Sequence, residues 1–163
     1  MSVQAQSTDR VVAAVESENW QEARNEIDNV RTANQALFRE KNYDYLLGRI
    51  AERTGDRATA LASYQAIAAG DSKVREYALW RLAKLARATG DLVLERERLQ
   101  QLVATAPSSL LLEPATLRLS DSFFESGDFT AAANSAKPLT LSKNVAVARE
   151  GSMLIGLAYV RGE

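Results

Sequence analysis

Apolar side chains recur every three or four positions along most of this chain, and no segment alternates apolar and polar residues for long. In residues 76–88, for example, Ala78, Leu82 and Leu85 share one stripe. That spacing gathers apolar groups on one side of an α-helix, whereas a half-buried strand would alternate. The pattern predicts no sheet and roughly nine helices, at 9–17, 20–33, 36–54, 57–69, 73–89, 92–105, 110–126, 129–141 and 145–161.

A short glycine-acid motif separates several of the predicted helices. It occurs at Thr54-Gly55-Asp56, Thr89-Gly90-Asp91, Ser126-Gly127-Asp128 and Arg161-Gly162-Glu163, with glycines 35, 37 and 35 residues apart. Glycine readily takes the left-handed conformation that ends a helix. The acidic side chain that follows can cap the next helix and interact with its positive end. Each motif therefore predicts a tight reversal between two antiparallel helices.

The near-constant period predicts an array of helix pairs, because such pairs bury their apolar faces only by stacking. The expected fold is all-α, an α-α superhelix of about four helix-turn-helix repeats. We expect one domain over 1–163, with repeats at 9–34, 36–70, 73–107 and 110–142 and a partial one at 145–163. Since the sequence stops one residue after a helix-ending glycine, we also expect it to be a segment of a longer protein.

The repeats resemble the tetratricopeptide repeat family. In the second repeat the resemblance rests on Leu47-Gly48, Ala51, Gly55-Asp56, Ala60 and Tyr64. It implies a tetratricopeptide-like solenoid whose first helices line a concave surface that binds a protein, a peptide or another domain of the same chain. Two positions depart from the family pattern. Glu95 stands where a small residue is expected, so Glu95→Ala should stabilise a crowded contact, and Pro138 should bend or end its helix.

Placing the sequence on the family pattern gives a candidate binding face on the first helices. Its members are Tyr45, Arg49, Tyr77, Trp80, Lys84, Arg87, Asp121 and Phe124. Aromatic rings supply contact area and cations bind carboxylates, so these residues suit a peptide partner. An alternative interpretation is that Tyr45, Trp80 and Phe124 pack between adjacent repeats and that Lys84 and Arg87 are simply solvated, since rings at helical spacing are usually core.

Composition excludes several kinds of chemistry. The 163 residues include no cysteine and no histidine, which removes thiol nucleophiles, Cys/His zinc sites and imidazole bases. Basic and acidic residues number 20 and 21, so there is no electrostatic footprint for nucleic acid. No apolar run approaches the ~18–20 residues that a membrane span needs. We expect no cofactor, no metal and no catalytic group in this segment, and exposed ends of the array could support a homodimer.

A narrower resemblance rests on Tyr77-Ala-Leu-Trp-Arg-Leu-Ala83, Ala106-Pro-Ser-Ser-Leu110 and Ala115-Thr-Leu-Arg-Leu-Ser120. These segments are similar to the N-terminal superhelix of bacterial soluble lytic murein transglycosylases. That resemblance implies a cell-envelope protein that assists peptidoglycan cleavage by a separate catalytic domain, in the periplasm rather than the cytoplasm. Glu125-Ser126 is similar to the Glu-Ser of transglycosylase sites, but the repeat turn at Gly127 follows it directly. We therefore interpret it as part of the turn.

Trp20 is expected to be structural. It should pack where the first turn between helices meets the second repeat. A large buried ring there predicts a cost of roughly 3–5 kcal/mol for Trp20→Ala.

Overall fold

The computed structural model describes residues 3–162, with side chains from Ser7 onward. Within that range the regular structure is helical, and the chain divides into two compact units, 1–75 and 76–163. The expectation of a single domain stays a prediction, and the division after residue 75 falls just inside the third predicted repeat, 73–107.

The described range contains ten α-helices and one short 3₁₀ helix, whereas the sequence predicted nine helices. They are α1 (Val3–Glu16), α2 (Trp20–Ala33), α3 (Gln35–Glu40), α4 (Tyr43–Thr54), α5 (Arg57–Ala69), α6 (Arg75–Arg87), α7 (Leu92–Thr105), α8 (Leu112–Glu125), α9 (Phe129–Ala136), the 3₁₀ helix (Lys137–Leu141) and α10 (Val145–Gly162).

Three glycine turns have the predicted geometry. Gly55, Gly90 and Gly127 have φ of +75°, +75° and +80°, in the left-handed region that favours glycine. In each case the next residue is an aspartate that caps the following helix. Asp56, for example, accepts a hydrogen bond from the backbone N–H of Thr59 at 3.1 Å. Of the fourth motif, Gly162 is the last residue of α10, and Glu163 lies outside the described residues.

In the first unit, helices α1 to α4 enclose an apolar core. Its buried members are Val11, Ala14, Ala23, Ile27, Val30, Leu37, Phe38, Tyr43, Leu47 and Ile50. Trp20 packs against this core from the start of α2, and the Arg53 guanidinium at the end of α4 lies 5.1 Å from its ring centroid. The predicted location of Trp20 is thus confirmed, but the side chain is only partly buried.

In the second unit, small side chains allow the helices to approach closely. Ala132 and Ala133 of α9 and Ala158 of α10 form a buried cluster, against which Phe123, Phe124 and Phe129 pack. The backbone of Gly151 in α10 is so close to the 3₁₀ helix that a Cβ there would lie 2.7 Å from Leu139 Cβ. This part of the core therefore depends on small residues that let neighbouring helices approach closely.

Two of the predicted helices are broken in the structure. The helix expected at 36–54 is interrupted at Asn42, whose φ of 53° is left-handed and whose amide oxygen accepts a hydrogen bond from Ser72 at 2.9 Å. Asparagine tolerates this conformation better than most residues. The helix expected at 129–141 changes to a 3₁₀ helix at Lys137, one residue before Pro138, which confirms the expected effect of that proline.

Candidate functional site

Four of the predicted binding residues lie on one stripe of α6. Tyr77, Trp80, Lys84 and Arg87 are three or four residues apart, so they share one side of the helix. The opposite side holds the buried residues Ala78, Leu79, Leu82, Ala83 and Ala86. Tyr77 and Lys84 are exposed, whereas Trp80 and Arg87 are partly buried. The stripe therefore combines ring surface with positive charge and remains accessible to a ligand.

The two predicted binding residues on α8 have different surroundings. The ring of Phe124 meets that of Phe129 edge to face, with centroids 5.2 Å apart, so it takes part in the packing of α8 against α9. Asp121 is partly buried and lies 3.9 Å from Arg118 at the nearest charged atoms. Of this pair, Asp121 is the residue that offers a charged group to a ligand.

A two-pronged ion pair joins the C-terminal ends of α6 and α8. Arg87 Nη1 and Nη2 each donate to one oxygen of Glu125 at 2.9 Å. Arg118 approaches the same carboxylate from its own helix, at 3.2–3.3 Å. Since both partners are about 40% exposed, this pair orients the side chains more than it stabilises the fold. Glu125 therefore belongs to an ion-pair network just before the turn at Gly127. It does not lie in the apolar pocket that a general-acid carboxylate would need.

Beneath that pair, Glu95 of α7 is almost completely buried, with 1% of its surface exposed. Arg118 Nε donates to Glu95 Oε1 at 2.7 Å, and Ser122 Oγ donates to Oε2 at 2.8 Å. Burial, the largest influence, raises the pKa of Glu95, while the Ser122 hydrogen bond and the Arg87 charge act to lower it. The departure from the family pattern is thus a satisfied polar contact between α7 and α8, not a crowded one.

Electrostatics single out Asp121. Its pKa is raised, first by burial and then by the negative charges of Glu125 and of Glu150 in α10, while Arg87 acts in the opposite direction. A carboxylate in like-charged surroundings is stabilised when a cation binds beside it. Asp121 thus lies in partly buried surroundings that contain both acidic groups and the arginines Arg87 and Arg118.

The remaining two predicted residues, Tyr45 and Arg49, belong to the first unit. The ring of Tyr45 lies 5.7 Å from that of the buried Tyr64, and Arg49 Nε lies 3.6 Å from Glu52 Oε2. Both rings belong to the predicted repeat 36–70, so this contact lies within one repeat and not between adjacent repeats. The role of Tyr45 and Arg49 in binding stays a prediction, as it does for the six residues of the second unit.

The first unit contains two clefts that the sequence did not predict. One, of about 530 Å³, is bounded by α2, α4 and α5 and includes Arg24, Arg31 and Asp44. The other, of about 760 Å³, lies at the break between α3 and α4 and is lined by Asn42, Ser72 and their neighbours. The apolar periodicity carries no signal for either cleft, because both are lined largely by polar side chains from separate helices.

Asp44 lines both clefts. Burial is the largest influence on its pKa and raises it, although the charges of Arg31 and Arg39 oppose this shift. Arg31 is itself engaged, with Nη2 3.5 Å from Asp44 Oδ1 and its guanidinium 4.7 Å from the Phe38 ring centroid. In the first cleft, Arg31 and Asp44 are thus paired with each other.

Among residues 3–162 no three Asp or Glu side chains are grouped in a way that could hold a metal ion. None of the described helices is long and apolar enough to cross a membrane.

Comparisons with known proteins identify the repeat and the fold. Residues 77–109, which include most of α6, the Gly90 turn and α7, match the tetratricopeptide repeat. The crystal structure of the MamA protein is similar over 98% of this chain and 82% of its own, with a TM-score of 0.66 and 16% sequence identity. That likeness shows an all-α helical-repeat fold. None of the curated proteins compared with the sequence matches it.

Proposed function

We propose that this chain, which carries a tetratricopeptide repeat at residues 77–109 on an all-α helical-repeat fold, is a non-catalytic scaffold that binds a protein segment. The binding surface is the side of α6 that carries Tyr77, Trp80 and Lys84, together with Asp121 of α8. The partner is a peptide or protein segment, in another protein or in another domain of the same polypeptide.

The observation that supports this proposal most is the accessible ring and charge stripe of α6, set within the segment that matches the repeat family. Tyr77 and Trp80 offer aromatic area of the kind that dominates protein interfaces. Neither ring is fully buried, so each leaves part of its surface exposed to solvent.

The charges suggest the chemistry of the partner. Asp121 has negative neighbours in Glu125 and Glu150, which favours a Lys or Arg side chain of the ligand near α8 and α10. Lys84 on α6 suits a carboxylate or a backbone carbonyl. We therefore expect a segment that presents a basic residue together with an apolar one.

Peptide binding tests the proposal directly. Fluorescein-labelled eight-residue peptides with one Arg and one Leu in a Gly/Ser background are titrated with the protein and followed by anisotropy. Tyr77→Ala and Trp80→Ala should each weaken binding at least about tenfold, as loss of an aromatic anchor does. Asp121→Asn should weaken binding of the Arg peptide but leave that of an Arg→Gln peptide unchanged.

Glu97→Gln provides the control, because Glu97 is an exposed acid on α7 away from this stripe. If it weakens binding as much as Asp121→Asn, the attraction is nonspecific and the site is wrong. Equal affinities for wild type, Tyr77→Ala and Trp80→Ala would also contradict the proposed surface. Co-sedimentation with purified peptidoglycan is a separate experiment. If the protein binds the glycan and Trp80→Ala does not reduce this binding, the result favours the alternative of a protein that assists peptidoglycan cleavage.

A further inference from the structure

Two arginines of the second unit converge on one carboxylate. Arg87, at the end of α6, donates from both terminal nitrogens to Glu125 at 2.9 Å, with one bond to each oxygen. Arg118 of α8 donates to the same two oxygens at 3.2–3.3 Å. Glu125 is therefore held in the way that arginine side chains hold the carboxylate of a ligand. We refer to Arg87 and Arg118 as the arginine pair.

The arginine pair is also held from beneath, by Glu95. This carboxylate is 1% exposed and accepts a hydrogen bond from Arg118 Nε at 2.7 Å, and its Oε2 lies 3.5 Å from Arg87 Nη1. Ser122 Oγ donates to the same Oε2, so Glu95 has little freedom to move. The arginine pair would therefore keep its arrangement if another group took the place of Glu125.

Glu125 is the replaceable member of this cluster. Its side chain is 40% exposed and that of Arg87 is 39% exposed, so water reaches their ion pair, whereas Glu95 is shielded from it. An ion pair as exposed as this contributes little to stability. Exchange of Glu125 for the carboxylate of a ligand therefore costs little, because one ion pair replaces another and the released side chain is solvated.

The arginine pair continues the ring and charge stripe of α6. Trp80 and Arg87 lie seven residues apart on one side of the helix, which corresponds to two turns and ~10 Å along the axis. An extended peptide covers ~10 Å in three residues. A ligand residue that contacts Trp80 therefore places the side chain three residues away from it in the chain close to Arg87.

We propose that the arginine pair is a binding site for a carboxylate side chain of the ligand, and that Glu125 occupies this site while the protein is free. The bound segment carries Asp or Glu three residues from the apolar residue that contacts Trp80, in addition to the basic residue beside Asp121. The inference rests on the proposed function, because it assigns a further group of the same ligand.

Occupation by Glu125 makes the site selective. A side chain of the same polypeptide competes at a high effective concentration, so it excludes free carboxylates from the arginine pair. An acidic residue displaces it only when the rest of its segment also contacts the stripe of α6. The competing charge thus rejects ligands that match the arginine pair alone.

Peptide titration tests the proposal. Labelled eight-residue peptides carry Leu and Glu with two Gly/Ser residues between them, in either order, or Leu and Gln at the same positions. Glu125→Gln keeps the size of the side chain and removes the competing charge. It should therefore tighten binding of a Glu peptide at least about tenfold and leave binding of the Gln peptides unchanged. Arg87→Gln, added to Glu125→Gln, should abolish the gain.

Glu150→Gln is the matched control, because Glu150 is an exposed acid of α10 and its substitution removes the same charge outside the arginine pair. An equal gain with Glu150→Gln would mean that only overall charge matters, which would overturn the proposal. A Glu125→Gln variant that melts at a lower temperature and binds every peptide as wild type does would also overturn it. The bridge would then be a structural contact between α6 and α8 only.

Acetate separates this site from the proposed peptide surface. In Glu125→Ala the arginine pair lacks its carboxylate, so sodium acetate should raise the Tm by about 2 °C or more relative to sodium chloride at equal ionic strength. Wild type, whose site is filled, corrects for the general effect of the salt, and an equal shift in both proteins would overturn the carboxylate site. Acetate stabilisation of Glu125→Ala without binding of any peptide would support the carboxylate site and reject the peptide surface. Peptide binding that Glu125→Gln leaves unchanged, with no stabilisation by acetate, would reject the carboxylate site alone.

Discussion

The ring of Tyr64 lies directly against the backbone of Gly48, so that a Cβ at that position would be 2.5 Å from Tyr64 Cε1. Tyr64 is completely buried, and its hydroxyl donates to Glu52 Oε2 at 2.9 Å. The ring therefore has little freedom to move away. The close approach of α4 and α5 depends on the absence of a side chain at Gly48, not on any special backbone conformation.

Gly48→Ala should destabilise the first unit. The added methyl group overlaps a ring that is held by burial and by a hydrogen bond, so we expect a loss of about 1–3 kcal/mol in the free energy of unfolding, despite alanine's better helix propensity. Urea denaturation followed by circular dichroism measures it. Tyr64→Phe, which keeps the ring and removes only the hydroxyl, should cost less, and an unchanged midpoint for Gly48→Ala would show that the ring can move.

Glu95→Ala should also be destabilising, which reverses the expectation drawn from the family pattern. The substitution removes a buried carboxylate and leaves the hydrogen-bonding groups of Arg118 and Ser122 without that partner. Because Arg118 retains Glu125, we expect a loss of about 2–3 kcal/mol, below the usual cost of breaking a buried pair. Thermal unfolding measures the loss, and Glu97→Ala on the exposed side of α7 should change the Tm little. A stabilised Glu95→Ala variant would restore the crowding interpretation.

The turns were predictable because their causes are local. Glycine conformation and aspartate capping depend on residues within one helical turn, so Gly55, Gly90 and Gly127 could be placed from sequence alone. The break at Asn42 could not, since it involves Ser72, 30 residues later. The same holds for Glu95, whose partners Arg118 and Ser122 lie 23 and 27 residues away.

For the candidate site, the stripe of α6 followed from helical spacing, but its charge environment did not. The pairing of Arg87 with Glu125 joins residues 38 positions apart, and the influence of Glu150 on Asp121 comes from another helix. The role of Phe124 in packing also depends on a ring beyond the turn, that of Phe129. Sequence spacing identifies which residues share a helix face, whereas only the fold identifies which charges and rings are already partnered.

Trp20→Ala should cost about 1.5–3 kcal/mol, less than expected for a fully buried ring. The structure leaves Trp20 partly exposed, although it packs on the core of the first unit and lies under the Arg53 guanidinium. Trp20→Phe should recover much of the loss, because it keeps an apolar ring for the core and for the cation. Guanidinium unfolding of the three proteins measures this. A loss of 4 kcal/mol or more would mean that the ring anchors more than its contacts suggest.

Asp56→Asn should reduce stability in a pH-dependent way. The hydrogen bond from Arg24 is the largest influence that lowers the pKa of Asp56, from 3.8 to about 2, with further bonds from Thr59. Because the folded-state pKa is below the unfolded one, the carboxylate stabilises the fold above pH 3.8, and this contribution disappears as the pH falls through about 2.

Asparagine can still accept the capping bond from the Thr59 N–H, so the substitution isolates the charge. The Tm difference between wild type and Asp56→Asn should be constant from pH 5 to 8 and should shrink steadily below about pH 4. A difference that persists unchanged down to pH 2 would mean that the ion pair with Arg24 does not set the stability of this turn.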